Sequence, residues 1–547
     1  MPLAHTSAPV GEPLAGQEFD VAVVGGGPVG LLLANLFGHW GVRTLLCERN
    51  ADTSASPKAI FIDDEFMRLL DRVGLADEFR QQSFGPVGNY YYSSFLRRAL
   101  VKVEGVVTAN GYPNRSAMVQ PEFERLLRRG ATRYPCVRLC FSTELQAFAQ
   151  ADDGVTLQLR DAAGRIAGVR CQFLFAADGA HSMVRKTLGI AFDGQKLPVP
   201  HIVVDVQGYA DQSPFTKYYC DPRRPWNSIP SPFGGRRFEF RLLPGDDPAR
   251  VVTPAGVRSL FPSYFQPPPF TIVRSAIYEY SERLAASFVS GNVFLVGDAA
   301  HLMPPQGAQG LNSGARDALN CAWKVWLVLQ GKAAPALLAT YDLERRDHIQ
   351  AIIRYSVRIS RIVNIDSVPR ALLRDLVFAL LQAIPSVRRY FALQRHLPKP
   401  FLAKGLVRHE HAPTESSVVG RLLPQPRVVR SDGSTVLLDR MLGEGFALVV
   451  LGAPPAVVHA LRSHVLLQRM AVRVVVVRAA GDTQAQLADD VRLEDDGTAA
   501  FGPGRPVAYL VRPDRYVAAL LDPARPDTAL RSVLLQYLPD ASLENRT

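Results

Sequence analysis

Six residues, Gly25-Gly26-Gly27-Pro28-Val29-Gly30, constrain the fold of this chain more than any other segment. They follow a short apolar run, FDVAVVG, at residues 19–25 and precede a helix-like apolar stretch, LLLANLFGHWG. A second apolar run, RTLLCE, occupies residues 43–48. The order strand, glycine turn, helix, strand predicts a βαβ unit at the start of the chain.

Each glycine of this loop has a distinct use in dinucleotide binding. Gly25 permits a tight turn, Gly27 lets the backbone approach a pyrophosphate, and Gly30 lets the helix pack closely on the strand. The helix amino terminus offers free N–H groups and the positive end of its dipole to the phosphates. Glu48 ends the second strand, where an acid accepts a hydrogen bond from a ribose hydroxyl. The combination favours a dinucleotide site over a glycine-rich turn without a ligand.

A second motif spans residues 291–312, GNVFLVGDAAHLMPPQGAQGLN. Asp298 follows a strand-like run and can hydrogen-bond a sugar or ribityl hydroxyl. The proline pair favours an extended segment, and the glycines of PPQGAQG permit close approach of the backbone to a flat ligand. Leu311 and Asn312 begin a helix whose free N–H groups can stabilise negative charge. This motif favours FAD over NAD as the bound dinucleotide.

A third motif, Asp178-Gly179, ends another buried-type strand, QFLFAA at residues 172–177. Taken alone, the pair is typical of an ordinary turn. Together with the two other motifs it indicates one site to which several strands contribute.

Composition narrows the classes of partner. The 62 Lys and Arg residues against 51 Asp and Glu give a net charge of +11, but the arginines are dispersed and form no basic tail. We therefore expect small anionic ligands and no nucleic acid. No apolar run reaches about 18 residues, and the start, MPLAHTSAPVGEPLAG, does not resemble a secretory signal, so we expect no membrane partner. The six cysteines are irregularly spaced, which predicts no metal site and free thiols in a reducing cytoplasm.

The three motifs, in this order and spacing, resemble those of the single-component flavoprotein aromatic hydroxylases, the para-hydroxybenzoate and phenol hydroxylase superfamily. The segments PKAIFIDDE, VQPEFERLL and YDLERRDH extend the resemblance over residues 18–400. The segments YYCDPRRP and RRFEF resemble the corresponding segments of the subgroup that acts on 3-(3-hydroxyphenyl)propionate.

The resemblance implies an α/β fold of three parts. A Rossmann-like FAD-binding domain takes residues 18–200 and 285–400, and residues 200–285 form an inserted antiparallel-sheet substrate domain. Alternating apolar and polar residues with many prolines agree with a sheet in that insert. Residues 415–547 form a thioredoxin-like α/β domain that holds no cysteine, since the last is Cys321. We expect a packing role or a homodimer contact there, because disulfide chemistry is excluded.

The activity implied is hydroxylation of a phenolic acid ortho to its hydroxyl, giving a catechol, with FAD as cofactor and NADH or NADPH and dioxygen as co-substrates. One alternative is a hydroxylase that tailors a polycyclic aromatic natural product. Another is a flavin-binding module without turnover.

The resemblance also assigns residues. Lys58 occupies the position where many relatives have an arginine. Lysine keeps the positive charge but cannot make the two parallel hydrogen bonds of a guanidinium. Cofactor contacts fall on Gly25, Gly27, Pro28, Val29, Gly30, Glu48, Arg49, Lys58, Gln120, Asp178, Gly179, Gly297, Asp298, Pro305, Gly310, Leu311 and Asn312. Candidate catalytic and substrate residues are Pro305, Tyr218, Tyr219, Asp221 and Arg224. A tyrosine or the aspartate can relay a phenolic proton and the arginine can hold a carboxylate, although each is alternatively an ordinary sheet or turn residue.

Overall fold

The computed structural model describes residues 14–54, 58–412, 414, 417–480, 490–495, 501 and 506–536. The expectation about the amino-terminal segment therefore concerns residues that lie mostly outside the described ones, as do parts of the expected C-terminal domain. The chain divides into two compact units, one formed by residues 1–107, 113–316 and 349–398 and the other by 108–112, 317–348 and 399–547.

Strands and helices alternate along most of the chain. The first part of the chain contains β1 (Glu18–Val24), α1 (Pro28–His39), β2 (Thr44–Cys47), β3 (Phe61–Ile62), α2 (Asp64–Arg72), α3 (Ala76–Gln81), β4 (Gly88–Tyr92), β5 (Ala99–Val103), β6 (Ser116–Ala117), α4 (Gln120–Thr132), β7 (Val137–Cys140), β8 (Glu144–Ala151), β9 (Gly154–Arg160), β10 (Ile166–Ala176) and α5 (Met183–Thr187). The middle part contains β11 (Phe192–Lys196), β12 (His201–Gln207), β13 (Phe215–Tyr219), β14 (Trp226–Pro230), β15 (Gly235–Arg241), α6 (Pro248–Val251), α7 (Pro254–Ser259), β16 (Thr271–Tyr278), β17 (Ser281–Ala285), β18 (Val289–Ser290), β19 (Val293–Leu295), β20 (His301–Leu302), α8 (Gly310–Leu329), α9 (Thr340–Val363), α10 (Val368–Ala383) and α11 (Pro385–Ala392). The last part contains β21 (Arg427–Val429), β22 (Thr435–Leu437), α12 (Asp439–Leu442), β23 (Ala447–Leu451), α13 (Pro455–Arg462), α14 (Val465–Arg469), β24 (Arg473–Arg478), β25 (Asp490–Leu493), β26 (Val507–Val511), β27 (Val517–Leu521) and α15 (Asp527–Leu534).

The first sheet brings the three sequence motifs together. Its main path is β18-β19-β10-β1-β2-β7, in which β19, β10, β1, β2 and β7 are parallel to one another and β18 is antiparallel to β19. Val24 is in register with Cys47 on one side and with Ala176 on the other, and Ala176 is in register with Leu295. The motifs follow these residues directly. They therefore meet at one edge, outside the carboxyl ends of the strands, where α/β sheets bind ligands.

Helix α1 is fixed by packing on almost every side. Its Asn35 side-chain amide donates to the carbonyls of Leu31 and Leu127, both at 2.8 Å, and so links α1 to α4. Gly130 is required at this crossing, because an added Cβ would collide with Asn35 Oδ1. Phe37 packs edge-on against Phe175 of β10, with ring centroids 5.2 Å apart. The amino terminus of α1 is thus held in place by the core.

The second sheet is wider than the sequence predicts. Its order is β16-β12-β15-β14-β13-β4-β5, so β4 and β5 join from residues 88–103, outside the predicted insert at 200–285. The pair β13 and β4 is parallel, with Tyr218 opposite Tyr91, while the other pairs are antiparallel. The pairing depends on contacts distant in sequence, which a local alternation pattern does not contain.

The two faces of this sheet differ in character, because successive side chains point to opposite sides. One face carries Trp226, Phe238 and Phe240 in an aromatic core that also contains residues of α6, α7 and the segment after them. The opposite face carries Tyr218, Asn227, Arg237 and Glu239 at the alternate positions.

The second unit is built on a sheet of order β22-β21-β25-β24-β23-β26-β27. Strands β23, β24 and β25 are parallel, and β26 and β27 are antiparallel to their neighbours. Residues 317–348, assigned from the sequence to the FAD-binding domain, belong to this unit. No helix in the described part of the chain is long and apolar enough to span a bilayer.

Candidate active site

The glycine loop has the shape that a pyrophosphate needs. Gly25 has φ +111°, and an added Cβ there would collide with the carbonyl of Ala177. A Cβ on Gly30 would collide with the carbonyl of Gly25, whereas a Cβ on Gly27 would meet nothing within 4 Å. Pro28 begins α1, where its missing N–H costs no helical hydrogen bond. Two glycines thus permit close packing, and Gly27 leaves open space in front of the helix amino terminus.

Glu48 ties the end of β2 to this loop. Its Oε2 accepts a hydrogen bond from the N–H of Gly26 at 2.7 Å, and its Oε1 accepts from the Asn50 N–H at 2.8 Å. Its Oε1 also accepts from the Asn50 side-chain amide at 2.6 Å, so the carboxylate holds the loop and keeps the second lone pair of Oε2 for a ribose hydroxyl. Arg49 is exposed beside it. Val29 lies where a Cβ on Gly297 or Gly314 would contact it, so α1, the second motif and α8 meet at this side chain.

Asp178 lies at the same edge and has spare hydrogen-bonding capacity. Its Oδ2 accepts from the Met183 N–H at 2.8 Å, which anchors the turn through Gly179, whose φ is +78°. Its Oδ1 is buried and has no hydrogen-bond partner within the described ranges. Burial raises the pKa of this carboxyl. An unsatisfied buried acceptor is costly unless a ligand donor completes it.

The second motif forms a constrained turn and loop. Gly297 has φ +58° and starts the single turn Gly297–Ala299, in which Asp298 is half-buried. Pro305 accepts a hydrogen bond from the Ala308 N–H at 2.8 Å, and Ala308 itself has φ +55°. Gly310 then begins α8, with Leu311 half-buried in its first turn.

Asn312 holds this loop to α2. Its Oδ1 accepts from the Asp63 N–H at 3.0 Å and its Nδ2 donates to the Ala308 carbonyl at 2.8 Å. Arg316, one turn later, pairs with Asp63 and with Glu65. The free N–H groups at the start of α8 are therefore presented by a rigid segment.

Gln120 clamps the segment that carries Lys58. Its Oε1 accepts from the N–H groups of Lys58 and Ala59, both at 2.7 Å, and its Nε2 donates to Glu124. Arg237 of the second sheet donates to the Lys58 carbonyl at 3.1 Å. Gln120 thus orders the protein around the site, and one N–H of its amide remains for a cofactor.

The structure does not bring the five predicted substrate residues together. Tyr219 stacks on Trp226 at 3.8 Å in the apolar core, on the opposite face of the sheet from Tyr218. Asp221 pairs with Arg223 and accepts from the Tyr264 hydroxyl at 2.9 Å. This placement favours the structural alternative for Tyr219 and Asp221.

Arg224 is likewise committed to the turn between β13 and β14. It makes two hydrogen bonds to Asp246, at 2.7 and 2.9 Å, and one to the Arg241 carbonyl. The ion pair favours a structural role here as well. Pro305 lies in the loop before α8, and only Tyr218 of the other four lies on the polar face of the sheet.

The sequence motifs did not identify several residues that lie near Tyr218. Tyr91 stacks on Tyr218 with ring centroids 4.7 Å apart, and a Cβ on Gly307 would lie 3.0 Å from the Tyr355 ring. Arg115 donates to Asn89 Oδ1 and more weakly to the Gly307 carbonyl at 3.5 Å.

These residues come from four separate segments, so no local motif joins them. Burial raises the pKa of Tyr218 and of Tyr355 to about 12, and it also raises that of Tyr91. All three tyrosines are therefore neutral hydrogen-bond donors at physiological pH.

The polar face lies against the loop that precedes α8. Ile229, on the same face as Tyr218, belongs to an apolar cluster with Phe61, Val87 and Ala117, and Ala308 packs against this cluster. The cofactor motifs and the tyrosines are thus brought side by side within the first unit.

Residues 18–356 match the family described as FAD binding domain, and residues 420–536 match the HcaD C-terminal domain. The chain therefore belongs to the flavoprotein aromatic hydroxylases that carry this FAD-binding domain. It is 36% identical over 548 residues to the 3-(3-hydroxy-phenyl)propionate/3-hydroxycinnamic acid hydroxylase of Escherichia coli, covering 97% of this chain and 98% of that protein. The expected fold class and the expected FAD-dependent ring monooxygenase are confirmed.

Two solved structures share the fold. Anhydrotetracycline hydroxylase OxyS from Streptomyces rimosus is 28% identical with a TM-score of 0.73, over 95% of this chain and 99% of that one. The flavin-dependent monooxygenase PieE, solved with FAD and substrate, is 22% identical with a TM-score of 0.78, over 95% and 100%.

Proposed function

We propose that this chain uses NADH or NADPH and dioxygen to hydroxylate a phenolic aromatic acid ortho to its hydroxyl, giving a catechol. The observation that carries the proposal is the 36% identity over 97% of the chain to a hydroxylase named for a phenol with a propionate side chain. In the overall reaction one atom of dioxygen enters the ring and the other leaves as water. The reduced nicotinamide supplies the two electrons.

The residues at the sheet edge fit FAD. The open space at Gly27 suits the pyrophosphate, and Glu48 suits the adenosine ribose. The unpartnered Oδ1 of Asp178 and the half-buried Asp298 offer acceptors for further hydroxyl groups. Bound FAD supplies the two-electron chemistry that couples the nicotinamide to dioxygen. The start of α8, fixed by Asn312, directs N–H groups that stabilise negative charge on a flat ligand.

The tyrosines of the polar face fit a phenol. Tyr218 and Tyr91 present stacked rings, and Tyr218 stays protonated because burial raises its pKa to about 12. A neutral tyrosine hydroxyl can donate a hydrogen bond to the phenolic oxygen and so stabilise phenolate character. A more electron-rich phenol reacts more readily at its ortho and para carbons.

The proposal is tested with the purified, FAD-loaded protein and a panel of hydroxyphenyl acids. We expect 3-(3-hydroxyphenyl)propionate to accelerate oxidation of NADH or NADPH and to give a catechol that carries one label from ¹⁸O₂. Unlabelled product, or oxidation that yields only hydrogen peroxide with every phenol, would contradict it.

A polycyclic substrate is the second candidate, favoured by the likeness to OxyS at 28% identity. Anhydrotetracycline belongs in the same panel for this reason. Hydroxylation of the polycycle without turnover of any hydroxyphenyl acid would replace the first proposal with the second.

A further inference from the structure

Arg115 is a buried cation without an anionic partner in the described part of the protein. We propose that its guanidinium is the subsite that binds the carboxylate of the aromatic acid and so selects acids over neutral phenols. The inference deepens the proposed function and rests on it for the identity of the substrate.

The first observation is the lack of a counter-charge. Arg115 is only 6% exposed, and within the described residues its hydrogen bonds go to the neutral acceptors Asn89 Oδ1 and the Gly307 carbonyl. The guanidinium also lies over the Phe61 ring, 5.1 Å from its centroid. By contrast, buried Arg237 of the same unit pairs with Asp205 at 2.7 Å. A buried charge without a partner is costly unless a ligand completes it.

The second observation is that the neighbouring ionisable groups cannot supply this anion. The positive charge of Arg115 acts to lower the pKa of Tyr91, Tyr218 and Tyr355. Burial has the larger, opposite effect and keeps each pKa above its ordinary value, so all three tyrosines stay neutral. The carboxylates on the same sheet face are engaged elsewhere. Asp205 pairs with Arg237, and Glu239 accepts from Asn227 at 3.3 Å and lies in the field of Arg237.

The third observation is the position of the guanidinium. It contacts the loop that precedes α8 through the Gly307 carbonyl. Its positive charge also acts to lower the pKa of Tyr91, Tyr218 and Tyr355, although burial outweighs this effect. An aromatic acid can place its ring against the tyrosines with its carboxylate on Arg115. The planar fork of arginine matches a carboxylate in two parallel hydrogen bonds. A carboxylate is charged at neutral pH, whereas an unperturbed phenol with a pKa of about 10 is not.

The test uses the holoenzyme and two variants, Arg115→Gln and Arg115→Lys. The matched control is Arg98→Gln, which removes the same charge from an exposed position immediately before β5. Two substrates are compared, 3-(3-hydroxyphenyl)propionate and the neutral 3-propylphenol. Binding of 3-phenylpropionate, which has no phenol to hydroxylate, is followed separately by the change in the flavin absorbance spectrum.

We expect Arg115→Gln to raise the Kd of 3-phenylpropionate and the KM of the acid roughly 100-fold. The kcat/KM for 3-propylphenol should stay within about threefold of the parent, because that substrate has no charge to pair. Arg115→Lys should give an intermediate loss for the acid, and it serves as the informative variant if Arg115→Gln does not retain FAD. Arg98→Gln should behave as the parent.

An equal loss for the acid and for 3-propylphenol would overturn the subsite, since Arg115 would then act on the phenol or the flavin. Unchanged 3-phenylpropionate binding in both variants would overturn it as well. The binding titration separates the two proposals. If 3-phenylpropionate binding depends on Arg115 but no phenol is turned over, the result would contradict the proposed function and still support the carboxylate subsite.

Discussion

Gly27 and Gly30 are close in sequence but serve the site in different ways, and alanine distinguishes them. A Cβ on Gly30 would collide with the Gly25 carbonyl, whereas a Cβ on Gly27 meets nothing within 4 Å. We expect Gly30→Ala to lower both the thermal midpoint and the FAD content. Gly27→Ala should keep the midpoint of the FAD-free protein and weaken FAD binding. If fluorescence titration gave the same FAD affinity for Gly27→Ala and the parent, the pyrophosphate would not bind at this loop.

Asp298 gives a second residue-level prediction. It is half-buried in the turn Gly297–Ala299, at the edge where the parallel strands end. We expect Asp298→Ala to raise the Kd for FAD by roughly 10-fold, as for the loss of one hydrogen bond to a charged group. Asp298→Asn, which keeps one acceptor oxygen, should lose less. Retention of FAD by the alanine variant at the level of the parent, after gel filtration, would show that Asp298 makes no cofactor contact.

The residue scale also shows what the sequence can and cannot predict. The glycine loop was predictable because its neighbours in sequence are its neighbours in space. Tyr218 and Tyr219 were predicted together, yet adjacent residues of a strand must face opposite ways, and Tyr219 packs on Trp226. Nothing in the local sequence indicated which of the two lies on the polar face of the sheet. Arg115 and Tyr355 meet Tyr218 only through tertiary contacts, so their role needed the structure.

Buried charged side chains of the second unit join α8 and α9 to the turn between β26 and β27. Glu344 of α9 has a fully buried side chain and accepts from Arg512 at 2.7 Å and from Lys324 at 2.8 Å. The two cations hold the pKa of this carboxyl well below its usual value, despite the opposing effect of burial. The sequence predicts the helix that begins at Leu311, which is α8, but Glu344 and its partner Arg512 are separated by 168 residues, so no local pattern indicates their pairing.

We expect Glu344→Gln to lower the free energy of unfolding by about 3 kcal/mol, because it takes the paired anion from buried Lys324 and leaves buried Arg512 with Asp514 alone. The control is Asp347→Asn, since the Asp347 side chain is 68% exposed and its pair with Lys404 is long, at 3.8 Å. Because the folded pKa of Glu344 is depressed, its stabilisation is present above the ordinary value of 4.5 and is lost as pH falls below it. Denaturant unfolding should show the gap between parent and Glu344→Gln narrowing in acid. An unchanged gap would contradict this assignment.

For the whole molecule, the buried charges predict that the C-terminal segment is not a dispensable appendage. The sequence placed a separate domain at residues 415–547, but the compact unit also includes 317–348. Removing residues 399–547 would delete Arg512 and leave Glu344 and Lys324 without it, and it would uncover Trp323, which donates to Asp514 at 3.0 Å. We expect the chain 1–398 to give little soluble protein and a lower thermal midpoint than the full chain. Replacing Lys324 by Met and Glu344 by Leu in that chain should recover part of the midpoint, because apolar residues tolerate the loss of the charged partner. A chain 1–398 with the midpoint and FAD content of the full protein would show that the boundary at 415 is the physical one.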